Sequence, residues 1–214
     1  MSGLLPNWPL LATFLVASVV LAVTPGPGVV YIVTRSVLQG RRSGMASVAG
    51  VAIGNLGNAL AASLGLAALF TASSVAFSIV KYLGAAYLIY LGIQTIRRRA
   101  ETKIPIVAEV PLRTVFRDGL IVALFNPKTA IFFAAFLPQF IATGQSFLVQ
   151  STILGTVFVM IAAISDSGYA LAASAIARWL TGRTRVGRLG AWLGGGTYIG
   201  LGIATALIGD HRAR

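Results

Sequence analysis

Two ionisable side chains, Lys128 and Asp166, lie inside long apolar runs of a 214-residue chain in which only 10% of residues are charged. A charge at membrane depth costs about 2.5–3.5 kcal/mol even on insertion scales, so such residues face a bundle interior and carry function. Asp166 has three uses open to it: binding a substrate ammonium, carrying a proton, or alternating between the two. Lys128 can hold a substrate carboxylate, and the plain alternative for both residues is a structural buried ion pair. Three uncharged polar residues accompany them. At a rise of about 1.5 Å per residue, Thr24, Asn55, Asn126, Lys128 and Asp166 all fall roughly 15–18 Å from the same-side ends of their apolar runs. Five polar residues from four runs therefore share one layer near the centre of a bilayer.

The layer coincides with two interruptions. Pro25 and Pro27 in Thr24-Pro25-Gly26-Pro27-Gly28 lack the N–H groups that would continue a helix, which orphans the carbonyls of Leu21 and Val23. Non-helical backbone at membrane depth is tolerated where it lines a cavity or a site. Asn126-Pro127 reads as a helix N-cap with proline at the first helical position, and Thr24-Pro25 reads the same way. Two half-helices then begin near mid-membrane, and their positive N-terminal ends converge on one region suited to a carboxylate. The bland alternative is a pair of proline kinks with a packing role. Asn58 accompanies Asn55 as a candidate for the cavity, although either could merely bond a neighbouring helix.

The elements that must position these residues follow from composition. The chain is 57% hydrophobic with a mean hydropathy of +0.85, whereas soluble domains carry about 25% charged residues. A spanning helix needs roughly 20 apolar residues. Six spans are predicted, over about 10–34, 44–70, 75–96, 116–142, 147–177 and 189–208, with spans one and four broken at the proline motifs. The fold class is therefore all-α integral membrane, a single domain over 1–214 with no room for a soluble one. The N-terminal run lacks the basic leader and short core of a secretory signal, so it is expected to stay as the first span.

Thirteen of the 17 Lys and Arg residues fall in the links after spans one, three and five. Basic residues gather in cytoplasmic loops, so both termini are expected outside. The net charge of +12 is thus topological, and nucleic-acid binding is not expected. Lys81 lies near the outer end of its span, within snorkelling reach, and takes no role.

An internal repeat supports a two-part plan. Residues 83–93 align without gaps to 193–203, with six of eleven positions identical. Halves of about 10–97 and 115–209, three spans each, insert with opposite orientation, as in the inverted repeats of many secondary transporters. Gly50, Gly54, Gly57, Ala61 and Gly65 form a small-residue stripe in span two. Close packing within the bundle is its expected use, with a homodimer interface as the alternative. Cysteine is absent, and no phosphate loop, metal-ligand cluster or nucleophile–base set is present. No cofactor is expected, and the chain does not read as an enzyme.

Thr24-Pro25-Gly26-Pro27, Gly40-Arg41-Arg42-Ser43-Gly44 and the Gly50 to Gly54 stretch resemble the lysine-exporter (LysE) superfamily, in its homoserine/threonine-resistance (RhtB) branch. Asn126-Pro127-Lys128 with Phe132-Phe133 and Leu137-Pro138-Gln139-Phe140 is similar to that family's second signature, and Tyr87 and Leu91-Gly92 fit its third span. The resemblance covers nearly the whole chain. It implies a bacterial inner-membrane exporter of amino acids driven by the proton gradient. The single acidic residue in the central layer leaves none for a cationic side chain, which leans the expected substrate toward a neutral amino acid. Export of basic amino acids and an uncoupled small-solute channel remain the alternatives. The expected binding residues are Thr24, Pro25, Gly26, Pro27, Asn55, Asn58, Asn126, Pro127 and Lys128, with Asp166 coupling transport to protons.

Overall fold

The computed structural model describes residues 5–64, 74–100, 110–142, 146–180, 195–200, 202, 203 and 206, and these are helical apart from short connections. Helix α1 (Trp8–Val23) starts where Asn7 Oδ1 accepts the Leu10 N–H at 3.2 Å. Then come α2 (Pro27–Ser63), α3 (Ser74–Ala100), α4 (Leu112–Leu124) and the short α5 (Pro127–Ile131). A π-helical turn, Phe132–Phe136, and a 3-10 turn, Leu137–Phe140, continue α5 before α6 (Phe147–Leu180). Phe132 and Phe133, adjacent in the π turn, are both buried in the core.

A straight helix of 37 residues would measure about 55 Å, far more than a bilayer's apolar thickness. Helix α2 reverses instead. Gly40 sits at φ 78° and ψ −172°, a conformation closed to residues with a Cβ. Beyond it the chain folds back: a Cβ at Gly44 would lie 2.3 Å from Ser36 Oγ, and one at Gly28 would lie 3.4 Å from Val51. Such pairs cannot meet in a continuous helix. The arms 27–39 and 41–63 thus form an antiparallel hairpin.

Pro27–Ser63 and Phe147–Trp179 are long and apolar enough to cross a membrane, and α4 with Pro127–Phe140 forms a third candidate bent by 45°. The helices turn large apolar side chains outward, among them Val16, Val20, Ile53, Ile79, Met160 and Ile164. An apolar exterior of this kind suits lipid rather than water. The expected end of span two, Lys81's side chain and much of span six lie outside the described residues.

Glycines set the packing. A Cβ at Gly50 or Gly54 would collide with the backbone of α4 at Phe116 and Leu120, so these helices run parallel in near-contact. The small-residue stripe accordingly serves packing within the chain. Helix α6 runs antiparallel to the second arm of α2, Gly155 meeting Ala59 and Gly44 meeting Ala170. Helix α3 and residues 195–203 pack reciprocally: Gly92 approaches Gly195 O and Ile199, while Gly202 approaches Ala85 O and Ile89. In the sequence repeat, Gly92 corresponds to Gly202, Ala85 to Gly195 and Ile89 to Ile199.

Two apolar clusters result. One gathers Phe14, Phe132, Phe133, Phe140 and Phe158 between α1, the turns after α5, and α6. The other gathers Tyr31, Val48, Leu91, Val115 and Tyr198 toward the Gly40 end.

Candidate functional site

Helix α1 stops at Val23, and the next begins at Pro27 with Gly26 as its N-cap. Thr24 is therefore not the cap expected of it. Its hydroxyl donates backward to Val20 O at 2.6 Å, while its extended backbone ends α1. Gly26 makes no side-chain capping bond, and its lack of a Cβ admits the Lys128 stem, whose Cδ would lie 3.2 Å from one.

The carbonyls at this break find side-chain donors from elsewhere in the chain. Lys128 Nζ donates to Leu21 O at 2.8 Å and also to Thr24 O. Ser165 Oγ donates to Ala22 O at 3.3 Å, and the Tyr169 hydroxyl to Val23 O at 2.8 Å. Lys128 was expected to hold a carboxylate or to pair with Asp166. Its ammonium lies instead on the carbonyl end of α1, where a helix presents partial negative charge. Among the described residues, close ion pairs join Asp118 to Arg35 and Arg117; Lys128 and Asp166 are not in contact but still attract each other through the cavity they both line.

The second interruption follows its expected chemistry. Helix α4 ends at Leu124, and Asn126 Oδ1 accepts the Lys128 N–H at 3.1 Å with Pro127 in the first turn. Ala123 O takes the Asn126 N–H at 3.1 Å and Asn58 Nδ2 at 2.9 Å. Asn58 is thereby committed to a neighbouring helix, the second of its two expected uses.

Between the two interruptions lies a cavity of about 40 Å³. Thr24, Asn55, Asn126, Lys128 and Asp166, the five residues of the predicted layer, all line it. Gly26, Gly28 and Thr129 complete its polar side, and Val29, Val51, Phe158 and Ala162 supply apolar wall. Pro25, Pro27 and Pro127 shape the backbone beside the cavity without lining it. Thr129 escaped the sequence reading, although it directly follows Asn126-Pro127-Lys128.

Asp166 is only 5% exposed, and no described residue donates a hydrogen bond to its carboxylate. Asn55 is 6% exposed, and its Oδ1 is sealed from solvent without a partner. The cavity thus combines an ammonium held by carbonyls, a carboxylate without a hydrogen-bond donor and an amide oxygen without a partner. An α-amino acid carries groups complementary to all three. A space of this size holds a few waters.

Toward the Gly40 end lies a second polar assembly that the sequence did not single out. Arg35 and Asp118, 7% and 3% exposed, pair at 3.5 Å. The Tyr87 hydroxyl donates to Asp118 Oδ1 at 3.2 Å, and the Arg35 guanidinium lies 5.4 Å from the Tyr31 ring centre. Tyr31 donates to Val115 O at 2.7 Å, and Tyr198 to Tyr31 O at 3.1 Å. In the sequence Arg35 is simply one of the basic residues that follow span one, and Asp118 lies among charged residues near the start of span four. The available signal was their position within helix ends rather than in the links themselves.

The LysE type translocator family model matches residues 19–207. A homoserine/homoserine lactone efflux protein of Salmonella typhi is 38% identical over 170 residues, covering 79% of this chain and 82% of the relative. A leucine efflux protein of Salmonella choleraesuis is 35% identical over 159 residues, 71% of this chain and 73% of the relative. An uncharacterized membrane protein of Vibrio cholerae is 31% identical over 194 residues, 90% and 94% of the two chains. No solved structure matches.

Proposed function

Because the chain belongs to the LysE-type translocator family, we propose that it exports neutral amino acids of the homoserine and leucine kind from the cytoplasm in exchange for protons. One feature carries this reading. The cavity between the two helix interruptions contains a buried carboxylate, Asp166, that accepts no hydrogen bond from a described residue and has Lys128 as its charged neighbour across the cavity. A carboxylate so placed needs a counter-group. It takes a proton or a substrate ammonium, and the two exclude each other. Mutual exclusion at one site is the simplest chemistry of antiport.

The substrate carboxylate is assigned to the N-terminal end of the 27–39 arm, beside Lys128. Thr24, Asn55, Asn126 and Thr129 frame the remainder. The zwitterion then lies between Lys128 and Asp166, and the one acidic side chain is spent on the α-amino group. That allocation favours neutral over basic amino acids.

Transport requires the cavity to open alternately to each side. We assign this to two inverted halves of three spans each, with spans one and four interrupted at the site, rocking about it. The reciprocal contacts of Gly92 with Gly195 and Gly202 with Ala85 support such halves, because they exchange under the repeat alignment. On the basic-residue bias, the Gly40 end faces the cytoplasm and both termini lie outside, in the inner membrane. The Arg35–Asp118–Tyr87 assembly would then be parted when the cavity opens inward.

The test is flux from proteoliposomes loaded with radiolabelled homoserine, leucine or lysine under an imposed pH gradient. Saturable, gradient-dependent efflux of the neutral pair over lysine is expected. Non-saturating flux that ignores the gradient would indicate a channel, and preferred lysine efflux would overturn the neutral assignment.

A further inference from the structure

Once Lys128 and Asp166 are allotted to the two charged ends of an amino acid, the Asn55 amide in the cavity wall still has an oxygen with no partner and no task. Asn55 projects from the second arm of α2, one turn beyond Val51, and both line the cavity. Its side chain forms no hydrogen bond with any described residue, and its Oδ1 is sealed from solvent. Asn58, one turn further on, differs: its amide is committed to Ala123 O. The two asparagines thus separate into one that fastens helices and one whose amide oxygen is left without a partner in the cavity wall.

An unsatisfied buried amide is costly, and few native residues bear that cost without use. Val29, Val51, Phe158 and Ala162 supply apolar wall to the same cavity, and none of its polar residues bonds the Asn55 oxygen. A substrate hydroxyl does, since it both donates and accepts. An alkyl side chain of the same size leaves the amide unpaired in the bound state. Sites built to hydrogen-bond a hydroxyl reject the analogue lacking it far more strongly than apolar pockets reject an extra methylene.

We propose that Asn55 is the specificity-determining residue of this cavity, reading the substrate side chain and favouring a hydroxyl-bearing short amino acid over an alkyl one of equal size. The inference rests on the export reading above and adds the residue that ranks its substrates. Asn55 acts on the side chain alone, so its effect appears as a ratio between two substrates.

The experiment uses the full-length protein in proteoliposomes and the isosteric pair homoserine and norvaline, in which a hydroxyl replaces a methyl. For the wild type, kcat/KM for homoserine is expected to exceed that for norvaline by about tenfold or more. In Asn55→Leu, which keeps the side-chain size, the ratio is expected to fall to about one or to invert. In Asn55→Ser, which keeps a hydrogen-bonding group, a preference for homoserine is expected to persist. Equal wild-type efficiencies would overturn the inference while leaving export standing, and this outcome needs no variant to fold. A ratio unchanged in a folded Asn55→Leu protein would also overturn it. Transport of neither amino acid by the wild type would overturn the export reading, and this inference with it.

Discussion

Lys128 illustrates what a single buried charge does when its partners become visible. From sequence it is a cation at membrane depth with two candidate anions, a substrate carboxylate and Asp166. In the fold its ammonium holds two carbonyls at the end of α1. Depth arithmetic places a residue in a layer but is silent about what faces it around the helix, and Leu21 lies 107 positions away in the chain. Lys128→Met is predicted to leave those carbonyls short of donors where no water replaces them. The expected results are lost transport and a lower thermal midpoint in detergent, with partial recovery in Lys128→Arg. The Arg35–Asp118 pair was hidden for the same reason, its members 83 positions apart. Removing one partner of a buried pair costs about 3–5 kcal/mol, whereas exchanging both for apolar residues is often neutral. Asp118→Leu, which leaves the buried Arg35 without its carboxylate, is predicted to lower the unfolding midpoint more than Arg35→Met, which leaves Asp118 with Arg117 and Tyr87, and the double variant to lower it by less than the sum. Additive losses would contradict the pairing.

At the scale of elements, the interruptions were legible because proline acts locally: it removes an N–H whatever the tertiary context. Which residue caps the new helix was not legible. Two prolines and two glycines in five positions allow more than one start, and the Thr24 hydroxyl goes back to Val20 O instead of forward. The Asn126 motif, with a single proline beside it, offers one helix start, and there Asn126 Oδ1 accepts the Lys128 N–H. The hairpin corner at Gly40 carries the converse lesson. One glycine among arginines gives no local sign that it alone takes a left-handed φ, and only the fold-back of Gly44 onto Ser36 reveals it. No described residue crowds Gly40, so among the described residues backbone strain alone penalises a side chain there. Gly40→Ala is predicted to cost about 1–3 kcal/mol through that strain, measurable as a lower unfolding midpoint. An unchanged midpoint would mean the corner is not held at this conformation.

For the whole molecule, the sequence was most informative about the site's membership and least about its interior. Hydropathy and span ends brought five polar residues from four spans to one depth, and all five line one cavity. The small-residue stripe likewise announced close packing, yet only the geometry identified α4 as its partner. The basic-residue bias predicts that both termini lie outside the cytoplasm. A reporter active only outside the cytoplasm, fused after Arg214, is expected to be active, and a cytoplasm-active reporter at the same position silent. The reverse pattern would invert the assigned direction of every helix.

The account turns on Asp166 as the group that exchanges a proton for a substrate ammonium. Its most direct test compares wild type with Asp166→Asn in homoserine-loaded proteoliposomes under an imposed pH gradient, with folding of the variant verified by size-exclusion chromatography. The predicted result is gradient-driven efflux by the wild type and none above protein-free liposomes by the variant. Unimpaired, gradient-dependent efflux by Asp166→Asn would contradict the account.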